Sequence, residues 1–307
     1  MQRRIIDYLI ISFKGMAMGA ADAVPGVSGG TIAFISGIYE ELVDTLSNIN
    51  ISLFKTLFQK GLVPFWKQLN GNFILALLLG IIVSFVSFMR LAKYLIENHP
   101  ILIWSFFFGL IIASILFVAK QITKWNQASL ITVIVGAFIA FYITTLPSMS
   151  ANDSPLFLCF AGALAICAMI LPGISGAFIL VILGAYKSLS DAIHDFDFKK
   201  IALFALGAIV GLLAFSKVLK WLFKKYHNFT LALLTGFIIG SLNKIWPWKE
   251  VLSWRTNSKG IEVPLQEQSI SPFSFEGDNQ LVLAIVLMVV GFLTILILEK
   301  FSPKTND

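Results

Sequence analysis

Two short segments, PGVSGG at residues 25–30 and PGISGA at residues 172–177, combine proline, glycine and serine in a pattern suited to binding an anion. Proline removes a backbone donor and glycine relaxes the chain, so each Pro-Gly pair predicts a break between two half-helices. A half-helix that starts just past such a break presents uncapped N–H groups, with the positive end of its dipole behind them. Gly26, Gly29, Gly30, Gly173 and Gly176 would let a bulky phosphate approach the backbone, and Ser28, Thr31 and Ser175 would add hydroxyl donors. The competing reading is that small residues pack membrane helices tightly; the recurrence of the motif at a matching break favours a ligand site.

The charged residues divide in the same way. Arg90 and Lys217 occupy equivalent positions of a duplicated segment, as do Lys93 and Lys220, and these four cations could meet a phosphate from either membrane face. The alternative for each is an end-of-helix side chain that reaches to the interface. Asp22 is a carboxylate within an otherwise uncharged stretch, which makes it the candidate site for a coupling proton or cation. Its counterpart is Met169, so the two copies are not equivalent. Asp44 matches Asp191 and Tyr39 matches Tyr186, both near helix ends where surface or packing roles are expected, while Glu40 has Lys187 as counterpart and candidate partner. Cys159 and Cys167 share one apolar segment and read as packing residues; with His99, His194 and His227 scattered, no metal-binding or cofactor motif is expected.

These residues must be positioned inside a membrane. Of 307 residues, 57% are hydrophobic and 13% charged, and the mean hydropathy is +0.85. So little charge excludes a soluble globule. The net charge of +6 fits cytoplasmic loops and acidic headgroups better than nucleic acid. Apolar segments are expected at 5–24, 27–46, 73–89, 101–119, 128–146, 155–171, 174–186, 201–216, 229–243 and 280–298, with the seven tryptophans mostly near segment ends as an interfacial belt. The 33 uncharged residues between Asp153 and Lys187 would form a helix of about 50 Å, far more than a hydrocarbon core of about 30 Å, so they must fold back or break.

The breaks belong to a duplication. A shift of 147 residues aligns 15–44 with 162–191 at 12 identities in 30 positions, and a shift of 127 aligns 75–114 with 202–241 at 11 in 40, the difference being a longer loop in the first copy. The expected fold is an all-α polytopic membrane protein made of two inverted repeats, residues 1–150 and 151–307, each a re-entrant half-helix hairpin followed by three spans. Three is odd, which inverts the second copy. Such a plan recurs in secondary transporters with the site at the breaks. Assigning 14 basic residues to the side of the N-terminus and 9 to the other makes both termini cytoplasmic and puts 247–279 outside.

The segment 14–49, with Gly-x-x-x-Gly-x-x-Asp before PGVSGGT and GIYE, resembles the bacterial polyprenyl-phosphate transporter family of the PopT type, and LPGISGAFIL is similar to its second-copy element. The resemblance covers nearly the whole chain and is weakest in 247–279. It implies a non-enzymatic flippase of the bacterial cytoplasmic membrane that returns undecaprenyl phosphate from the outer to the inner leaflet. Asp22, Gly26, Ser28, Gly29, Gly30, Thr31, Gly173, Ser175 and Gly176 are its signature positions. Two rivals remain. An undecaprenyl-diphosphate phosphatase would need an arginine where Gly29 stands and an acidic metal-holding cluster, neither of which is present. A small-anion exchanger would use the same site without a lateral opening to lipid.

Overall fold

The computed structural model describes residues 3–24, 27–147, 149, 154–256 and 262–301. The expected break at Pro25-Gly26 itself lies outside the described residues; its flanks are described. The first copy runs α1 (Ile5–Asp22), α2 (Gly29–Ile35), α3 (Tyr39–Ser47), α4 (Ile51–Lys60), α5 (Leu62–Gln68), α6 (Gly71–Asn98), α7 (Pro100–Lys120) and α8 (Gln127–Thr145). The second runs α9 (Pro155–Ile170), α10 (Gly176–Ile182), α11 (Ala185–His194) and α12 (Phe198–Ser241), then strands β1 (Lys249–Thr256) and β2 (Glu262–Ser269), and α13 (Leu281–Phe301). Local chemistry starts these helices: the Asn50 and Asn126 side chains accept backbone N–H bonds at the heads of α4 and α8, and Pro100 and Pro155 open α7 and α9. The chain is a polytopic membrane protein. Among the described helices, α6, α7, α8 and α12 are long and apolar enough to cross a bilayer, and the pair α10 and α11, bent by 108°, makes a fifth candidate.

The packing repeats wherever the sequence does. Gly15 of α1 abuts the carbonyl of Leu77 in α6, and its duplicate Gly162 of α9 abuts the carbonyl of Phe204 in α12, 127 residues beyond Leu77. Gly80 against Ser12 is matched in the same way by Gly207 against Cys159. At each position a side chain would strike backbone, so glycine is what lets these helices approach. Helix α6 ends at His99 with φ −138° and ψ 52°; the equivalent Tyr226 has φ −133° and ψ 46°. Proline at position 100 separates α6 from α7, and the same backbone departure at Tyr226 divides α12 into two helical arms joined without a proline, with the expected segments 201–216 and 229–243 lying on either side of it.

Helices α8 and α13 each pack across the expected boundary between the copies. Gly109 of α7 meets Met288 of α13 while Gly291 of α13 meets Phe106, and Gly236 of α12 meets Val133 of α8 while Gly136 of α8 meets Leu233. The two halves are therefore interlocked along α7 with α13 and α8 with α12.

Two local expectations are corrected. The fold is mostly helical, but within 247–279, expected as an outside loop, β1 and β2 form an antiparallel hairpin with Lys249 opposite Ser269, and Val263 and Leu265 between Glu262 and Gln266 were its short sequence signal. Buried Trp248, with Trp246, seats this hairpin on Ile101 and Ala284 at the heads of α7 and α13. Their indole N–H groups donate to the carbonyls of Asn279 and Ile270 at 2.9 and 2.8 Å. The long loop of the first copy is also structured, as α4 and α5, with Phe58 and Leu62 exposed.

Candidate functional site: two helix breaks, one sealed and one open

Helix α1 stops at Asp22, and its carboxylate turns to the head of α2, where Oδ1 accepts the Gly29 N–H at 2.7 Å. The Ser28 hydroxyl caps the same helix by accepting the Gly30 N–H at 3.2 Å, and the Ser28 carbonyl accepts the Thr31 N–H at 3.0 Å. This corrects the expectation of uncapped amides at the first break. A carboxylate from within the chain already takes the place of an anion there, where the helix dipole favours negative charge. All seven residues of α2 are buried.

The two breaks meet. Thr31 Oγ1 accepts the Gly173 N–H at 2.9 Å, and the Ser28 hydroxyl shares its proton between the carbonyls of Leu171 and Met169 at 3.3 and 3.4 Å. Gly30 lies against the carbonyl of Ile170, leaving no room for a Cβ. Gly173 holds φ at +85° and presses on Phe237 and Ile238 of α12, two reasons why only glycine fits. Ser28, Gly29, Gly30 and Thr31 are thus brought together with Gly173.

The second break is built differently. Met169 replaces Asp22, and Ser175 at the head of α10 makes no side-chain cap. Only Gly176, Leu180 and Ile182 of α10 are buried. Here a cleft opens, lined by Gly173, Ile174, Ser175 and Phe178 on one wall, Ala140, Ile143 and Thr144 of α8 on the other, and Lys244. The Lys244 ammonium lies 4.8 Å from the centre of the Phe178 ring and 3.2 Å from Glu267 Oε2. The same carboxylate oxygen is 3.6 Å from Lys249 Nζ, which sits 4.3 Å over the ring of Trp104. Burial pushes the Lys249 ammonium down to about 8. Burial alone would raise Glu267, but the two lysines prevail and hold it below its usual range. Among the described residues the two cations share this one carboxylate.

The other candidates lie elsewhere. Arg90 and Lys217 are exposed on α6 and α12, form no ion pair among the described residues, and do not line the cleft. Glu40 pairs not with Lys187 but with His227, whose Nε2 is 3.1 Å from its Oε1. Asp44 lies 3.4 Å from Lys220, and Lys93 bonds to Glu97 at 3.6 Å on its own helix. Sequence reasoning missed Lys244, Lys249, Glu267 and Thr144. A lysine three residues after the duplicated run ending GFIIGS was the available signal.

Comparison with known proteins agrees with this placement in a membrane. Residues 18–263 match the model of a family described as VCA0040-like, undecaprenyl phosphate translocase-like. A polyprenyl-phosphate transporter of Vibrio cholerae serotype O1 is 45% identical, covering 99% of this chain and 100% of its own. Another, from Staphylococcus aureus, is 31% identical over 76% of this chain and 84% of its own. No solved structure matches. With the family model spanning most of the chain and one relative aligned end to end, the chain belongs to the undecaprenyl phosphate translocase-like family.

Proposed function

We propose that the protein carries the headgroup of a polyprenyl phosphate across the membrane, and that the cleft at the second break is where the phosphate binds. The observation that carries this reading is the juxtaposition of Lys244, which shares the Glu267 carboxylate with Lys249, and a serine that caps no helix, Ser175, at a helix break within an apolar fold. An ionised phosphate in hydrocarbon is prohibitively costly without a polar path, while a polyprenyl tail can stay in lipid. The protein need shield only the head. The family description and the names of both relatives support undecaprenyl or another polyprenyl phosphate as the substrate.

In this reading the two copies are inverted, each α1 to α2 or α9 to α10 unit is re-entrant, and both termini are cytoplasmic, in accord with the excess of lysine and arginine on that side. The β-hairpin then lies outside, and the lipid moves from the outer to the inner leaflet. Asp22 would take the coupling proton or cation, because neutralising its carboxylate weakens the bond to Gly29 that closes the first break. Arg90 and Lys217 would serve at the lipid-facing surface, outside the cleft.

The test is a leaflet-resolved assay of polyprenyl phosphate in vesicles containing the purified protein. Wild type should speed the crossing, and Lys244→Gln should slow it about ten-fold, the worth of one charge-assisted bond. Unchanged leaflet distribution with uptake of a soluble anion would make the protein an anion exchanger. Phosphate release from the diphosphate, lost in Ser28→Ala, would make it an enzyme.

A further inference from the structure

The contacts of α7 with α13 and of α8 with α12 are equivalent between the copies, but those of α3 and its duplicate are not. Helix α3 of the first copy packs on α12 of the second around its kink. Lys220 of α12 is held there by two residues one helical turn apart, Asp44 at 3.4 Å and Asn48 at 3.2 Å. Beside them Tyr39 stacks edge-on against Phe223, ring centres 5.8 Å apart. The duplicate of α3 is α11, and the duplicate of this stretch of α12 is the end of α6. No comparable packing joins α11 to α6 or α7. Tyr39 is 2% exposed, whereas its counterpart Tyr186 is 41% exposed.

The charges needed to close that second side are nevertheless present. By the shift of 147, Asp44 and Asn48 correspond to Asp191 and Asp195; by the shift of 127, Lys220 corresponds to Lys93. The carboxylate of Asp191 has no hydrogen bond or ion pair among the described residues, and Lys93 reaches only Glu97 on its own exposed helix face. Two copies of one unit that pack asymmetrically have a second arrangement of similar energy, in which each copy adopts the other's contacts.

We infer that Asp44 with Lys220 and Asp191 with Lys93 are reciprocal gate pairs, the first closed in this structure with the second open, and the second closed with the first open in the alternate state. Asp195 then replaces Asn48 as the second anchor of the lysine. The pair of Glu40 with His227 has no such counterpart, since Lys187 and Pro100 stand at the equivalent positions, so the first side carries one more latch than the second. This inference rests on the alternating-access reading proposed above, and it identifies the residues whose exchange of partners performs the alternation.

Paired cysteines test it in native membranes, in a background with Cys159→Ser and Cys167→Ser that retains lipid transport. One variant carries Asp44→Cys with Lys220→Cys, a second carries Lys93→Cys with Asp191→Cys, and a third carries all four. A short thiol cross-linker should join either pair and arrest transport, and the four-cysteine variant should form one cross-link per molecule but not both. Lys93→Gln, alone in the first paired variant, should raise the yield at 44 and 220 about three-fold, the worth of one exposed ion pair. Charge exchange, Lys93→Asp with Asp191→Lys, should restore the distribution. Both cross-links in one molecule, or none at 93 and 191 in a transporting protein, would overturn the inference. Mutually exclusive cross-links in the four-cysteine variant, together with a wild-type protein that moves no lipid in the leaflet-resolved assay, would leave the gates standing and overturn the substrate instead.

Discussion

The first break and the second share one sequence pattern and are built in opposite ways. At the first, Asp22 and Ser28 occupy the amides of α2, every residue of that half-helix is buried, and Gly30 is clamped against the backbone of Ile170. At the second, methionine replaces the aspartate, the serine is uncapped, Ala177 is exposed where Gly30 is buried, and a lysine from beyond α12 enters the cleft. An anion supplied by the chain fills one site. At the other no carboxylate takes that place, and a cation lines a small cleft. Duplication thus provides two similar frameworks, and one divergent position, Asp22 against Met169, decides which of them is complete on its own.

Substitutions that separate the two breaks should sharpen this contrast. The largest effect is expected at Gly30: Gly30→Leu must displace the Ile170 carbonyl and should lower stability by about 3 kcal/mol, whereas Ala177→Leu, its counterpart, should stay within about 0.5 kcal/mol in thermal unfolding in detergent. Lys244→Gln should weaken binding of the lipid phosphate about ten-fold in a titration with the purified protein, with little change in melting temperature. The serines should divide in the same sense. Ser28→Ala removes a helix cap and should cost about 1 kcal/mol of stability, while Ser175→Ala should leave stability unchanged and slow transport. The smallest effect concerns the hairpin. The carboxylate of Glu267 is held below its ordinary value of 4.5, so its contribution is fully present above pH 4.5 and is lost as the pH falls through its folded value. Tryptophan fluorescence from Trp246 and Trp248 should report loosening on acidification, and Glu267→Gln should remove that dependence. Equal responses at Gly30 and Ala177, or at the two serines, would break the comparison.

Much of the framework is legible in the residues. Uncharged runs too long for one span, the Pro-Gly breaks and two alignment registers identify the helices and the positions that pack alike, and the glycine contacts fall on those registers residue by residue. The state of each break is not legible. Asp22 lies seven residues before Gly29 in sequence, and only the turn between α1 and α2 brings the carboxylate to that amide. Lys244 meets Glu267 across 23 residues, through a hairpin whose alternation is short and interrupted by Pro264. Arg90 and Lys217 show the converse. Their equivalence is real in the alignment, but helical phase turns both outward, and a one-dimensional register carries no information about which face a residue takes. The kink at Tyr226, by contrast, falls in the gap between the expected segments 201–216 and 229–243, although no proline marks it as Pro100 marks the end of α6.

A structure of the protein with a polyprenyl phosphate bound tests the central claim most directly. The phosphate should lie within hydrogen-bond distance of Lys244 Nζ and Ser175 Oγ, with Asp22 still bonded to Gly29 at the other break. A phosphate found against the Gly29 and Gly30 amides, or on the outer faces at Arg90 or Lys217, would contradict the assignment of the open break as the substrate site.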